Sequence, residues 1–458
     1  MKFLKLKEKL RNKYQSLDNG KKSFKRVKSK IFENKKEMNT DNLKIIGITG
    51  SAGKSTTALI VHEYLKMLGY KSVLYSSAKI DSPASIINPD EACEISFNSE
   101  EELLDIIEEV EAYGADFLIL EVNESTIEKG ITKEIPFAVR ALTNLNPKHN
   151  LERYSDTEYV EIKKAFFKDI EDECKCVLGF QDYDKKLLEE LLKLNNFEKL
   201  VFTTNYIANI NGIDPNMATC LLTGLESTLD GLKLNIKVKG EKYKLESKLM
   251  MSYNALNFVG AMTILESLDI LDVKKFEKCI YDINIPGRAE VFKANGRLIV
   301  VDAHLPKMLE CLKSFKDNGL ISKIKVVVGS NGHGFKTWED RFNSEQFKET
   351  HKKNKKFAMG LLKQYADFVY LTENDNAADN VLDICLELQE YLEGDVASVI
   401  VEDRKEAIRQ AIVESKEGDV IFISGRGNRR VLCNTKTTMK LLKDSEVVEE
   451  TLKDLEWK

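Results

Sequence analysis

Hydrophobic positions along this chain follow two rhythms in turn. Short apolar runs lie at 43–48, 71–77, 116–122, 137–145 and 175–179. Between them, at 54–69, 99–113, 156–169 and 184–194, apolar residues recur three and four apart. The runs read as buried strands and the spaced stretches as helices that cover them. Strand and helix in alternation predict a parallel α/β sheet. Further on, "MATCLLTG", "GLKLNIKVKG" and "KYKLESKL", within 217–249, alternate with period two between Gly turns. They predict an antiparallel patch attached to that sheet, closed by a helix at 254–268.

A boundary is expected at "NIPGRAE", 284–290, where a second α/β series begins. Its strands are 297–301, 323–329, 367–371, 396–401 and 419–424, and its helices 306–317, 345–365, 378–391 and 404–415. The expected organisation is therefore a basic arm, 1–42, a larger unit, 43–285, and a smaller Rossmann-like α/β unit, 286–458.

Composition narrows the class. With 458 residues, 43% hydrophobic and 31% charged, the chain has the length and balance of a globular protein with more than one core. No apolar stretch reaches the ~18 residues of a membrane span, and the start has no apolar signal region, so a cytoplasmic protein is expected. The eight cysteines are scattered, as in a reducing compartment, and the close pair Cys174 and Cys176 lacks a second pair to build a zinc site. The net charge of -5 hides an asymmetry: residues 1–44 hold 15 Lys and Arg against 5 Asp and Glu. That arm suits a solvated helix, an acidic partner or an anionic membrane surface. Nothing in the pattern calls for a nucleic-acid partner.

The chemistry begins at "GITGSAGKSTT", 47–57, between the first strand and the first helix. Gly50 and Gly53 let backbone N–H groups approach phosphate oxygens, and the helix start adds its positive end. Lys54 suits the β and γ phosphates of a nucleotide, and Ser55 suits Mg²⁺. The larger unit is thus expected to be a P-loop parallel-sheet ATPase. Glu121 ends the strand "DFLILEV" at the same edge of the sheet, where a carboxylate can ligate the metal. The stretch "TNLNPKHNLERYSDTEYVEIKKAFF", 143–167, adds His149 in a loop and Lys163 on a helix.

Together "GITGSAGKSTT", "LEVNES", "TNLNPKHN", "SYNALN", "GRAEV" and "ADFVYLTEND" fall in the order of the Mur ligases. The sequence resembles that family over residues 43 to about 430, its later segments looking most like the MurE branch. The family's T-G-x-x-G-K loop, followed by two Ser or Thr, matches Thr49, Gly50, Ser51, Ala52, Gly53, Lys54, Ser55 and Thr56. The resemblance implies an ATP-dependent ligase. Such an enzyme phosphorylates a substrate carboxylate, and an amine then attacks the acyl phosphate to give an amide, ADP and phosphate. It implies that Lys54, Ser55 and Glu121 hold the phosphates and a Mg²⁺. It matches His149 to a second-metal ligand and Lys163 to a lysine that the family carbamylates with CO₂. Asn254 and Asn257 match the adenine motif, and Arg288 and Asp302 a further arginine and a ribose-binding aspartate. His304, in "DAHLP", and Arg426, in "SGRGNRR", are candidates for substrate contact, Arg426 through the carboxylate of the amine substrate.

Four departures qualify the match. A basic arm stands where MurE ligases carry a uridine-nucleotide domain, so a UDP-sugar is not expected to be held in the usual way. The D-N-P-R motif of diaminopimelate enzymes is replaced by "TENDNAADN", 372–380. "EVSSH" becomes "EVNES", with Ser125 where the histidine stood. "DYAH" is one residue short around Asp302. The acceptor therefore stays open among cell-wall or surface-polymer precursors, peptides, polyglutamate-type chains and pseudomurein-type peptides. A P-loop switch ATPase, or a scaffold without ligase activity, is the alternative of another class.

Overall fold

The computed structural model describes residues 43–458, apart from 83–96, 98, 147–153, 169, 171–172, 181–189, 194–198, 211–213, 333–344, 377–378, 434–438 and 458. The basic arm, His149 and most of the expected helix 184–194 lie outside the described residues.

Ten strands form the first sheet: β1 (Lys44–Thr49), β2 (Ser72–Tyr75), β3 (Ile80–Asp81), β4 (Phe117–Glu121), β5 (Phe137–Leu142), β6 (Lys175–Phe180), β7 (Lys199–Thr204), β8 (Cys220–Thr228), β9 (Gly231–Val238) and β10 (Glu241–Ser247). Their order is β10-β9-β8-β7-β6-β5-β1-β4-β2-β3. From β8 through β2 neighbours run parallel, while β8-β9-β10 and β2-β3 are antiparallel. The period-two patch is thus the antiparallel end of the sheet, as its alternation predicts. Strand β1 is central and apolar throughout except Lys44 and Thr49, and its flanking strands come from opposite directions of the winding. That switch point opens a crevice at the carboxyl ends of β1, β4 and β5.

The helices of this series are α1 (Lys54–Met67), α2 (Glu100–Ala112), α3 (Glu124–Glu128), α4 (Asp156–Ala165), α5 (Asn205–Ile210), α6 (Asn254–Ser267) and α7 (Val273–Tyr281). Helix α4 starts at a capping box, in which Ser155 and Glu158 satisfy each other's backbone N–H groups. Its far end is held by Arg140 of β5, which donates to the Phe166 carbonyl at 2.7 Å and lies against the Phe137 and Phe166 rings. Tyr159 and Lys163, four residues apart, therefore share the buried face of α4.

The second sheet contains β11 (Glu290–Ala294), β12 (Arg297–Asp302), β13 (Ile324–Val328), β14 (Phe368–Leu371), β15 (Ala397–Ile400) and β16 (Val420–Ser424), in the order β11-β12-β16-β13-β14-β15. All pairs are parallel except β11-β12. Helices α8 (Leu305–Asp317), α9 (Glu345–Tyr365), α10 (Val381–Leu392) and α11 (Arg404–Val413) alternate with its strands. A hairpin, β17 (Val431–Cys433) with β18 (Met439–Leu441), and α12 (Asp444–Asp454) follow. The α/β class and the two series expected from the pattern are observed. Strands β3, β7, β11, β17 and β18 and helices α3, α5, α7 and α12 were not expected from it.

Candidate active site

The loop between β1 and α1 is built around two glycines. Gly50 has φ +146, and a Cβ there would lie 2.0 Å from the Thr143 hydroxyl. Gly53 caps α1 at φ +81, and a Cβ there would lie 2.3 Å from Asn257 Oδ1. Asn144 fastens the loop to the end of β5. Its side chain accepts from the Ala52 N–H at 2.9 Å and donates to the Ala52 carbonyl at 3.0 Å. Its carbonyl takes the Ser51 N–H at 3.0 Å. Lys54 folds back and donates to the Gly50 carbonyl at 3.0 Å. The result is a cradle of backbone with no room for side chains beneath it, opening on the first turn of α1. Thr56 is buried behind it.

Glu121 lies opposite Ile48 in the sheet, beside this loop. Its Oε2 accepts from Ser76 Oγ at 2.9 Å, Ser77 N–H at 2.8 Å and Ser77 Oγ at 3.1 Å. Ser77 Oγ also meets Ser55 Oγ at 2.8 Å and takes a hydrogen bond from Arg288 Nη2 at 3.3 Å. Ser77 is therefore the node that joins the loop serine, the strand-end carboxylate and the arginine from the second series. Burial opposes ionisation of Glu121. Lys54, the Ser77 N–H, Arg288 and Ser76 outweigh it, and its carboxyl is held below the ordinary value.

Lys163 is fully buried. Its Nζ sits 2.9 Å from Glu124 Oε1 and 2.8 Å from Thr49 Oγ1. The Tyr159 hydroxyl lies 2.9 Å from Ser51 Oγ and 3.2 Å from Glu124 Oε1. Burial pulls the Lys163 amine down to about 8; Glu124 resists this, and Lys54 adds to it. For Glu124 burial again opposes charge, but Lys163 and Lys54 hold its carboxyl far below the ordinary range. Glu124 opens α3, whose first turn is capped by Asn123 accepting from the Thr126 N–H at 2.9 Å. Motif matching passed over Glu124, Ser77, Asn144 and Tyr159. The capping signal N-x-x-T at 123–126 marked a helix start after Glu121 and was legible.

Asn257 donates to Asn254 Oδ1 at 3.0 Å, above Gly53, and the Asn254 Nδ2 is buried with no hydrogen-bond partner. Asn257 thus reaches the loop, and Asn254 beside it has one amide donor left over.

Two of the expected contact residues also make bonds within the chain. Asp302 is 1% exposed and accepts from Ala289 N–H at 2.6 Å, Tyr253 OH at 2.9 Å and His304 N–H at 2.5 Å. Its carboxylate fastens the joint between the two series. Arg426 is also 1% exposed. It donates to Asn374 Oδ1 at 3.0 Å, Asp375 Oδ1 at 3.1 Å and the Val431 carbonyl at 2.7 Å. The guanidinium holds the surrounding loops together, and its Nε is buried without a partner. His304 starts α8 with its Nδ1 buried and unpartnered, and burial lowers its basicity.

The family models for the Mur ligase middle domain and the Mur ligase, glutamate ligase domain match residues 48–265 and 287–427. The chain belongs to the Mur ligase family. It is an ATP-dependent ligase that forms amide bonds. The UDP-N-acetylmuramoyl-L-alanyl-D-glutamate–2,6-diaminopimelate ligase of Chlorobaculum tepidum is 26% identical over 398 residues, covering 85% of this chain and 72% of that one. Among solved structures, MurF ligase from Thermotoga maritima in complex with ADP superposes with a TM-score of 0.61 at 18% identity, covering 91% and 81%. A pseudomurein peptide ligase type C from Methanothermus fervidus gives a TM-score of 0.59 at 15% identity, covering 96% and 85%. No helix among the described residues is long and apolar enough to cross a membrane.

Proposed function

We propose that this Mur ligase couples an amino acid or amine to a carboxylate-bearing cell-wall precursor in the cytoplasm, with units 43–285 and 286–458 closing on ATP. The observation that carries this reading is the node at Ser77, where the phosphate loop, a buried carboxylate and Arg288 meet. A carboxylate is a poor acyl donor, because its leaving group would be oxide or hydroxide. Transfer of the γ-phosphate to it makes phosphate the leaving group, and the amine nitrogen then displaces it. The chain's task is to hold two anions together against their repulsion and to keep water away from the activated acid.

In this reading the loop N–H groups from Gly53 to Ser55 and the Lys54 ammonium bind the phosphates. Asn254 and Asn257 hold the adenine end, with the unpartnered Asn254 amide as donor. Ser55 and Glu121 suit Mg²⁺: both offer hard oxygens, and Glu121 is buried and ionised. Bound there, the metal would neutralise phosphate charge and fix the γ-phosphate for transfer. His149 stays a candidate ligand through the family resemblance. Arg288 approaches from the second series and is set to stabilise charge on the transferring group. His304, with its unpartnered Nδ1 near Asp302, stays a candidate contact to the amine substrate.

The departure at 372–380, where "TENDNAADN" stands in place of D-N-P-R, favours an amine other than diaminopimelate. The test is phosphate release from ATP across a panel of amino acids, with cell-extract acceptor fractions and mass spectrometry of products. Release that needs both an acceptor and one amine, and that is lost in Lys54→Ala, is expected. Steady ATP hydrolysis unchanged by any acceptor or amine would instead identify a switch ATPase.

A further inference from the structure

Helix α1 and the hairpin β2-β3 meet at two places. At the first turn of α1, Ser55 Oγ lies 2.8 Å from Ser77 Oγ. Seven residues on, and so on the same face two turns away, stands His62, which is fully buried. Its ring touches both strands of the hairpin. Nδ1 lies 2.9 Å from Ser72 Oγ, at the start of β2, and Nε2 lies 3.1 Å from Asp81 Oδ2, at the end of β3.

The hairpin needs such a fastening. Strand β3 has two residues, and its ladder with β2 consists of Leu74 opposite Asp81 and Tyr75 opposite Ile80. The turn between the strands is closed by backbone bonds from Ser76 N–H to the Lys79 carbonyl at 3.1 Å and from Lys79 N–H to the Ser76 carbonyl at 3.0 Å. That turn presents Ser76 and Ser77 to Glu121, Ser77 to Ser55 and Arg288, and the Ala78 carbonyl to Asn428. A shift of the hairpin on α1 would move all of these together. Asp81 also meets Lys66 Nζ at 2.8 Å and Lys79 Nζ at 3.1 Å, but these three side chains are between 34% and 42% exposed, where ion pairs contribute little. The imidazole has no access to water, so loss of its partner would strand a buried ring nitrogen. The bond from His62, against the opposing effect of burial and helped by Lys66 and Lys79, holds the Asp81 carboxyl far below the ordinary range. An ionised Asp81 only accepts, so His62 donates to it from Nε2.

Resting on the reading of Ser77 as part of the nucleotide site, we infer that His62 is a positioning residue for the ligase: by clamping both strands of the β2-β3 hairpin onto α1, it sets where Ser77 stands against Ser55 and Glu121. The helix that opens at the phosphate loop thereby also carries the pin that aligns the opposite wall of the site.

The test is a double-mutant cycle between His62 and Ser77, read on the full chain as its affinity for a non-hydrolysable ATP analogue with and without Mn²⁺. His62→Leu is expected to weaken binding with Mn²⁺ about fivefold, the size of one lost hydrogen bond, and to leave binding without the metal nearly unchanged. His62→Gln, whose amide offers both a donor and an acceptor, should restore most of the loss. In a Ser77→Ala background His62→Leu should add nothing, because the residue it acts through is gone. A merely structural role would lower the melting temperature and weaken binding equally with and without Mn²⁺, and its effect would add to that of Ser77→Ala; that result overturns the inference. Should His62→Leu fail to fold, Asp81→Ala removes the same bond from its partly exposed end, and the cycle is run with it. If Ser77→Ala itself leaves both affinities unchanged, the reading of the node fails and this inference with it. If Ser77→Ala weakens binding while His62→Leu does not, this inference alone fails.

Discussion

Gly53 lacks a side chain for two separable reasons. Its φ of +81 is a left-handed backbone that residues with a Cβ adopt at a cost. Its missing Cβ also leaves space for Asn257, whose Oδ1 lies 2.3 Å from where that atom would be. Gly53→Ala therefore strains the cap of α1 and pushes Asn257 off the loop. The strain is worth about 1–3 kcal/mol, and the displaced asparagine adds a loss specific to the nucleotide. The expected outcome is a modest fall in melting temperature, with a loss of ATP-analogue affinity by roughly tenfold or more, about 1.4 kcal/mol. Fluorescence titration and thermal unfolding on the same sample separate the two. Equal affinity would mean that Asn257 does not serve the adenine end.

At the scale of elements, α12 shows how a helix with little local signal becomes fixed. Asp444, its first residue, meets Arg404 in a fully buried pair: Nε to Oδ1 and Nη2 to Oδ2 are both 2.8 Å. Arg404 also donates to the Ser424 carbonyl at 2.9 Å, and its backbone N–H reaches Glu373 at 3.1 Å. One guanidinium thus ties α12 to α11 and to the ends of β14 and β16. Removing either partner alone, as in Arg404→Met or Asp444→Ala, strands a buried charge and is expected to cost about 3–5 kcal/mol. Urea unfolding is the measurement, and the double variant should be less destabilised than the sum of the two. A cost below about 1 kcal/mol for both single variants would show water reaching the pair. The pair also marks what the sequence hides. The strand, loop and helix at 44–67 were legible because an apolar run, glycines and a helical spacing are local. The same holds for the period-two patch, β8 to β10. The terminal helix, the edge strand β11 and the hairpin β17-β18 depend on partners far along the chain, and no window of residues contains them. Ser77 was missed for that reason: as a serine after a strand it is ordinary. Its role comes from Ser55, Glu121 and Arg288, separated from it by up to 211 residues. Asp302 and Arg426 show the converse, since a motif gives residue type and position but not that Tyr253 or Asp375 also pairs with the charge.

The whole molecule is held across its two sheets by few polar contacts near the site. Arg288 reaches Ser77 at 3.3 Å, and Asn428, in the loop after β16, donates to the Ala78 carbonyl at 2.9 Å. A third contact, Tyr253 to Asp302 at 2.9 Å, lies at the joint, where Met250 and Met251 also pack into the core of the second series beneath Leu298 and Val300. The apolar joint is therefore permanent, whereas the contacts at Ser77 and Ala78 are single hydrogen bonds, each worth about 1 kcal/mol. That is the profile of a hinge with a latch: the joint keeps the two series together, and the latch decides how often they meet over the loop. Asn428 touches neither the loop nor Glu121, and its bond ends one residue from the node at Ser77. Asn428→Ala should leave folding nearly unchanged and shift the balance toward the open arrangement by about 1 kcal/mol, some fivefold in population. The apparent affinity for ATP should fall by a similar factor. In the proposed reading the nucleotide contacts both series, so saturating ATP should recover most of the turnover. Energy transfer between dyes on α9 and α2, read with and without an ATP analogue, follows the closure directly. If the variant gives the wild-type transfer efficiency in both states, the Asn428 bond is a passive contact and closure is governed at the joint.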